Sequence, residues 1–251
     1  MKKLLILLSV FFVSISAVLA SDTFDKFNDQ ITNVTITIAQ ENLDNFANDL
    51  GAVMCGGSYH HGKSLGFPGV DIGFHAALKS VPDKDKIVKA ADLSYITLPV
   101  GQLEIGLPSN MDLIIRYASV ANAAMTGGGL RYGILKNSMP FLPNISAQVT
   151  YNMLNVEASA NKFTATGMDA AVMASFNLPI IDPYVGVGYY SASVEPDATI
   201  QTPQPGMKGT GSGMRAEVGV NMGLIPLTYL QLAANYVSGD IGGTVGLGVR
   251  F

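Results

Sequence analysis

The chain of 251 residues has one cysteine, no tryptophan, three histidines and only 14% charged residues. A single cysteine, Cys55, excludes an internal disulfide framework. Fifteen basic residues against nineteen acidic ones give a net charge of −4. That balance lacks the basic stripe of a nucleic-acid binder, so no nucleic-acid partner is expected. Long apolar runs are also missing. After the first twenty residues nothing approaches the ~20 apolar residues of a spanning helix. Yet 48% of the chain is hydrophobic. Apolar content spread through short alternating segments suits a membrane β-barrel or a soluble β-sandwich.

The first residues read as a leader. Lys2 and Lys3 precede an apolar run from Leu4 to Val13 broken only by Ser9, and Val18-Leu19-Ala20 offers a cleavage site before Ser21. The run is short for an inner-membrane anchor, and Cys55 is far from the position a lipoprotein needs. A signal peptide over 1–20 is expected, and with it export. Its removal takes two lysines, leaving thirteen basic and nineteen acidic residues and a net charge of −6.

Read backward from Phe251, about ten segments have the ~9–11-residue length of a tilted barrel strand. They run roughly 69–79, 98–107, 111–119, 127–136, 144–154, 165–177, 184–195, 212–224, 227–237 and 242–251, and all twelve prolines lie outside them or at their ends. The final run places Val245, Leu247, Val249 and Phe251 on one face and Gly246, Gly248 and Arg250 on the other. An apolar face opposite a polar one fits lipid outside and a lumen inside. The connections alternate. Short, proline-bearing turns at 107–110, 137–143, 177–183 and 224–226 fall on one side, and the longest loops, 80–97 and 195–211, fall on the other.

On the same parity the inward faces carry Asp71, His75, Gln102, Glu104, Asp112, Arg116, Arg131, Gln148, Asn152, Asp169, Arg215, Glu217, Gln231, Asn235 and Arg250. These are the expected lumen-lining residues. Arg116, Arg131, Arg215 and Arg250 are expected to pair with Glu104, Asp112, Asp169 and Glu217, either as a neutralising network or as a charged constriction. Tyr117, Tyr151, Tyr189 and Tyr236 fall outward near one end, Phe176 and Phe251 near the other, as two aromatic girdles. Gly73, Gly106, Gly133, Gly186, Gly188, Gly219, Gly246 and Gly248 share the inward parity, leaving room inside.

Residues 21–60 read as an N-terminal helical segment, ahead of a barrel over 61–251. Phe24, Phe27, Ile31, Val34 and Ile38 recur at helical spacing, although 34–38 also suits a strand. Leu43, Phe46, Leu50 and Val53 make a better helix, starting near Asn42. The segment is a candidate plug. Ten strands become twelve if 31–39 and 51–60 join the sheet.

The run Gly56-Gly57-Ser58-Tyr59-His60-His61-Gly62-Lys63, followed by Gly66-Phe67-Pro68-Gly69-Val70-Asp71, resembles the start of a poorly characterised family of bacterial outer-membrane barrel proteins. The terminal Phe251 resembles the end of outer-membrane barrels in general, where it addresses the chain to the barrel-assembly machinery. A looser likeness is to long-chain fatty-acid transporters, which hold an N-terminal hatch inside a barrel. The family resemblance implies outer-membrane lipids and the assembly machinery as partners, with no catalytic residues. Ser58 and Ser64 lie near His60 and His61 in sequence, which is no triad. The two histidines have no cysteine or carboxylate at useful metal-ligand spacing. They read as solvated residues at a strand entrance, so no enzyme, metal or cofactor is expected. The resulting expectation is an all-β antiparallel transmembrane barrel passing small solutes, hydrophobic ones included. The alternative is a structural or surface-interaction barrel, and a lipid-modifying enzyme is a distant third.

Overall fold

Strict alternation of buried and exposed residues runs through the strand segments, as in β5, where nearly every second side chain from Asn144 to Ala158 is buried. In a computed structural model describing residues 26–158, 161–223 and 225–251, these segments form one closed antiparallel barrel. The expected leader and Phe24 lie outside the described residues. Ten strands follow each other around the ring: β1 (Val70–Ser80), β2 (Tyr95–Leu107), β3 (Met111–Val120), β4 (Ala123–Leu135), β5 (Pro143–Ala158), β6 (Asn161–Phe176), β7 (Ile181–Pro196), β8 (Gly209–Met222), β9 (Thr228–Val237) and β10 (Asp240–Arg250). β10 returns to β1 with Asp71 opposite Arg250 and Lys79 opposite Gly242. Val70 and Phe251 exchange backbone hydrogen bonds of 3.2 and 2.8 Å at this seam.

The ring has two ends. The terminal end holds Val70 and Arg250 and the connections 108–110, 136–142, 177–180 and 223–227. The loop end holds the long connections 81–94 and 197–208 and the tight turns 121–122 and 238–239. Several strands are longer than expected. β5, β6 and β7 each have 16 residues, and the added residues lie mainly toward the loop end. Two prolines therefore fall inside strands. Pro99 pairs with Ala76, but β2 meets β3 only from Gly101 onward. Pro183 pairs with Val220, while the β6–β7 pairing stops at Tyr184. Each sits where one side of its strand has no neighbour, so the missing N–H breaks no ladder.

Residues 31–39 and 51–60 do not join the sheet. The short helix α1 (Asp29–Thr32) leads into α2 (Ile36–Met54), which begins before Asn42 because Thr35 caps it, its Oγ1 accepting from the Ile38 amide. Ala39, Leu43, Phe46, Leu50 and Val53 form the buried stripe of α2, at the spacing that puts them on one face. That stripe packs inside the loop end, where the rings of Phe27, Phe46 and Phe163 meet in tilted and edge-on contacts with centroids 4.6–5.5 Å apart. Met125, Leu154, Val156 and Val194 from the inward face join the same core, along with Ile87 of α3 (Lys86–Lys89) and Ile200 from the two long loops. The lumen thus has an apolar tier at the loop end and a polar tier below it. Sequence parity alone had suggested one polar interior.

Below α2 the chain descends through the ring and reaches the wall only at Val70. Glycines let it pass close. A Cβ on Gly186 would lie 2.9 Å from the Tyr59 ring, and one on Gly133 would lie 2.5 Å from Ser64 Oγ. On the outside Phe74, Val187, Val218 and Leu232 are exposed.

Candidate functional site in the lumen

All three histidines meet in the polar tier. His60 and His61 arrive on the descending segment, and His75 comes from β1 as an inward residue. Ring centroids are 4.4 Å apart for His60 and His61 and 4.9 Å for His60 and His75. Tyr229 of β9 lies parallel to His60, with centroids 5.8 Å apart and planes 10° apart. His60 and His61 are 0% and 2% exposed. The solvated position expected for them is therefore corrected: the segment carries them into the lumen, between one carboxylate from the start of β1 and another from β2.

Those carboxylates are Asp71 and Glu104. His60 Nε2 lies 3.6 Å from Asp71 Oδ2 and 3.5 Å from Glu104 Oε1. His61 Nε2 lies 3.2 Å from Glu104 Oε2. Each carboxylate is also held from outside the cluster. Arg250 Nε donates to Asp71 Oδ2 at 2.7 Å and the Tyr229 hydroxyl donates to Oδ1 at 2.9 Å. Gln102 donates to Glu104 Oε1 at 2.8 Å, and Arg131 pairs with both Glu104 and Asp112. His75 shares a 2.7 Å hydrogen bond between Nδ1 and Gln231. Neither ring nitrogen of His60 has a hydrogen-bond partner among the described residues.

The other expected lumen residues divide into separate groups. Asp169 accepts from the Tyr59 hydroxyl at 2.8 Å. Glu217 accepts from Tyr184 at 2.7 Å and from Thr244 at 3.0 Å. Arg250 pairs with Asp71, which lay outside the expected pairings, and Arg131 pairs with Glu104 and Asp112, which were among them. Arg116 and Arg215 do not pair that way. Arg116 donates to the carbonyls of Met54 (2.8 Å) and Gly56 and to Asn152, and Arg215 donates to the carbonyl of Ala52. These carbonyls belong to the last turn of α2 and the residues after it, where intrahelical partners run out and the helix dipole favours a cation. Arg215 also lies over the rings of Tyr59 and Tyr190, 5.6 and 5.8 Å from their centroids. Tyr117, Tyr151, Tyr189, Tyr236, Phe176 and Phe251 all lie on the exposed outer surface.

A cavity of about 480 Å³ opens at the terminal end and reaches the cluster, lined by His61, Ser64, Ser175, Asp182, Arg250 and Phe251 among others. Ser58 donates to the Cys55 carbonyl at 3.2 Å rather than to a histidine. Tyr59, Tyr184, Tyr229 and Gln231 were not singled out in the sequence as partners. Inward parity flagged Gln231, but nothing local marks which buried tyrosines face a carboxylate.

At the loop end a second charged group latches α2 to the wall. Lys79 Nζ donates to Asp49 at 2.8 Å and to Asp240 at 2.6 Å. Asp85, at the N-terminus of α3, accepts from the amides of Ile87 and Val88 at 3.1 Å. Burial pushes the Asp85 carboxyl up to about 7, and the neighbouring Asp49 carboxylate pushes it the same way. Burial raises Asp49 as well, against the pull of Lys79.

Among solved structures the chain is similar to the N-terminal β-barrel domain of Pseudomonas aeruginosa OprF, at 14% identity over 73% of this chain and 97% of that one, with a TM-score of 0.34. It is similar to an outer membrane channel from Pseudomonas putida F1 at 9% identity, covering 77% of this chain and all of that one, with a TM-score of 0.47. The KdgM porin matches at 11% identity over 72% and 99%, with a TM-score of 0.32. No curated protein matches the chain. A family model matches residues 1–95 and 87–251, and the chain belongs to that Family of unknown function (DUF6588).

Proposed function

We propose that the protein is a bacterial outer-membrane barrel that passes small solutes when its internal segment shifts, that segment acting as a plug. The membrane part of this reading is supported by the exposed Val, Leu, Ile and Phe side chains around the wall. Such a belt is what acyl chains solvate, and a mid-depth arginine there would cost about 2–4 kcal/mol. Lipids are then the partner of the outer face, and β10 is the strand that the assembly machinery would engage. On this reading the leader directs export and is then cleaved.

The observation that carries passage is a polar ladder on β5. Asn144, Ser146, Gln148, Thr150 and Asn152 all face inward, and each has a side-chain atom without a hydrogen-bond partner among the described residues. Buried polar groups are satisfied by protein or by water, so a row of five beside the plug marks a hydrated seam. Gly127, Gly129 and Gly133 on β4 and Gly167 and Ala171 on β6 pair with members of this row. The seam ends below the apolar tier, so through-passage requires α2 to move. That closed tier is also what favours the second reading, a structural barrel with no transport.

Planar-bilayer recording separates the two. Wild-type protein should be mostly closed with brief small openings. Phe46→Ala, which loosens the apolar tier by about 3–5 kcal/mol, should raise the open probability. Silence from both proteins, each folded by heat-modifiability on gels, would leave the structural reading standing.

A further inference from the structure

The geometry points to a binding site for a divalent transition-metal ion, Zn²⁺ foremost, held by His60, His61, Asp71 and Glu104. One candidate ligand atom from each lies within 4.8 Å of all the others, and all four residues are buried. Tetrahedral zinc with bonds of about 2.0–2.2 Å has ligand-to-ligand edges of roughly 3.3–3.6 Å. His60 Nε2 lies 3.6 Å from Asp71 Oδ2 and 3.5 Å from Glu104 Oε1, both at the length of such an edge, and His61 Nε2 lies 3.2 Å from the other Glu104 oxygen. Two imidazoles with two carboxylates suit this class of ion rather than Ca²⁺ or Mg²⁺, which take all-oxygen shells.

A second, independent observation is His60 itself. It is 0% exposed, its Nε2 faces both carboxylates, and that nitrogen has no hydrogen-bond partner among the described residues. A metal ion is the group that such a nitrogen lacks. The outer contacts fit as well. Arg250 and Tyr229 fix Asp71, while Gln102 and Arg131 fix Glu104, so the ligands are oriented by their neighbours. The charge of Arg131 opposes a cation, but Asp112 shares it at 2.9 Å. His61 lines the cavity at the terminal end, which gives an ion a way in.

The test uses full-length folded protein in detergent, washed with chelator and titrated with ZnCl₂ against a chromogenic chelator. One Zn²⁺ per barrel is expected, unaffected by excess Ca²⁺ or Mg²⁺. The His60→Gln/His61→Gln double variant should bind at least about 100-fold more weakly, beyond the 10–100-fold of a lost outer-shell partner. His75→Gln, which alters a neighbouring ring engaged by Gln231, should retain the stoichiometry. X-ray absorption of the loaded protein should show an N/O shell near ~2.0–2.1 Å with imidazole scattering. Folded wild type that takes up no stoichiometric Zn²⁺ would overturn the site, as would uptake unchanged in the double variant. Displacement by Ca²⁺ or Mg²⁺ would overturn the choice of ion. Uptake is measured without current, so it stands or falls separately from passage of solutes.

Discussion

The hydroxyl of Tyr59, on the internal segment, donates a 2.8 Å hydrogen bond to Asp169 Oδ1 on β6. The residues are 110 positions apart, and the other Asp169 oxygen has no partner among the described residues. Tyr59→Phe removes the donor and leaves a buried carboxylate with its hydrogen bonds unmet. A hydrogen bond to a charged group is worth about 1.5–3 kcal/mol. The urea midpoint of the barrel refolded in vesicles should fall accordingly. An unchanged midpoint would mean that water replaces the phenol at no cost.

Arg131 joins Glu104 and Asp112 in full burial. Arg131→Met leaves two carboxylates without their cation, a change that costs about 3–5 kcal/mol when a buried pair is broken. The same unfolding experiment should show this as a larger loss than Tyr59→Phe produces. Adding Glu104→Leu and Asp112→Leu should recover part of the loss, because the charge imbalance is then gone.

Cys55 follows α2 directly and is fully buried, and it is the only thiol in the chain. Its labelling by a maleimide therefore reports whether the internal segment is seated. Folded wild type should label slowly. The Arg116→Met/Arg215→Met pair removes the guanidinium groups that hold the carbonyls of Ala52, Met54 and Gly56, and should speed labelling by tenfold or more, equivalent to about 1.4 kcal/mol of seating energy. Equal rates in a folded double variant would show that the apolar tier alone holds α2.

The latch at the loop end should depend on pH. The Asp85 carboxyl moves from 3.8 to about 7 in the folded protein, so the folded state binds more protons between those values. Stability from this group is full below about pH 4 and is lost as pH rises through about 7. The protection factors of the Ile87 and Val88 amides, taken relative to their intrinsic exchange at each pH, should fall over that rise. Asp85→Asn, which keeps a capping oxygen, should flatten the dependence.

The wall was legible in the sequence because a period of two fixes which side chains share a face. Asp71, Glu104, Asp112, Arg131 and Arg250 were all found that way. The apolar tier was not, since Val156, Phe163 and Val194 face inward between polar neighbours such as Glu157, Lys162 and Glu195, so the alternation persists there with its polarity reversed. The helix start was obscured by Val34-Thr35-Ile36-Thr37-Ile38, whose β-branched residues suit a strand until Thr35 is recognised as a cap. His60 and His61 gave no local sign of their partners. Glu104 is 43 residues from His61, and only a closed ring around the segment brings them together.

The order of assembly follows from the seam between Val70 and Phe251. α2 lies at one mouth of the ring, while the chain that follows it leaves at the other and continues directly into β1. A helix with side chains is about 10–12 Å across. Were β10 to zip onto β1 first, that cylinder would have to be pulled through a hoop already crowded with arginine and tyrosine. Seating the occupant before the hoop is fastened avoids that passage.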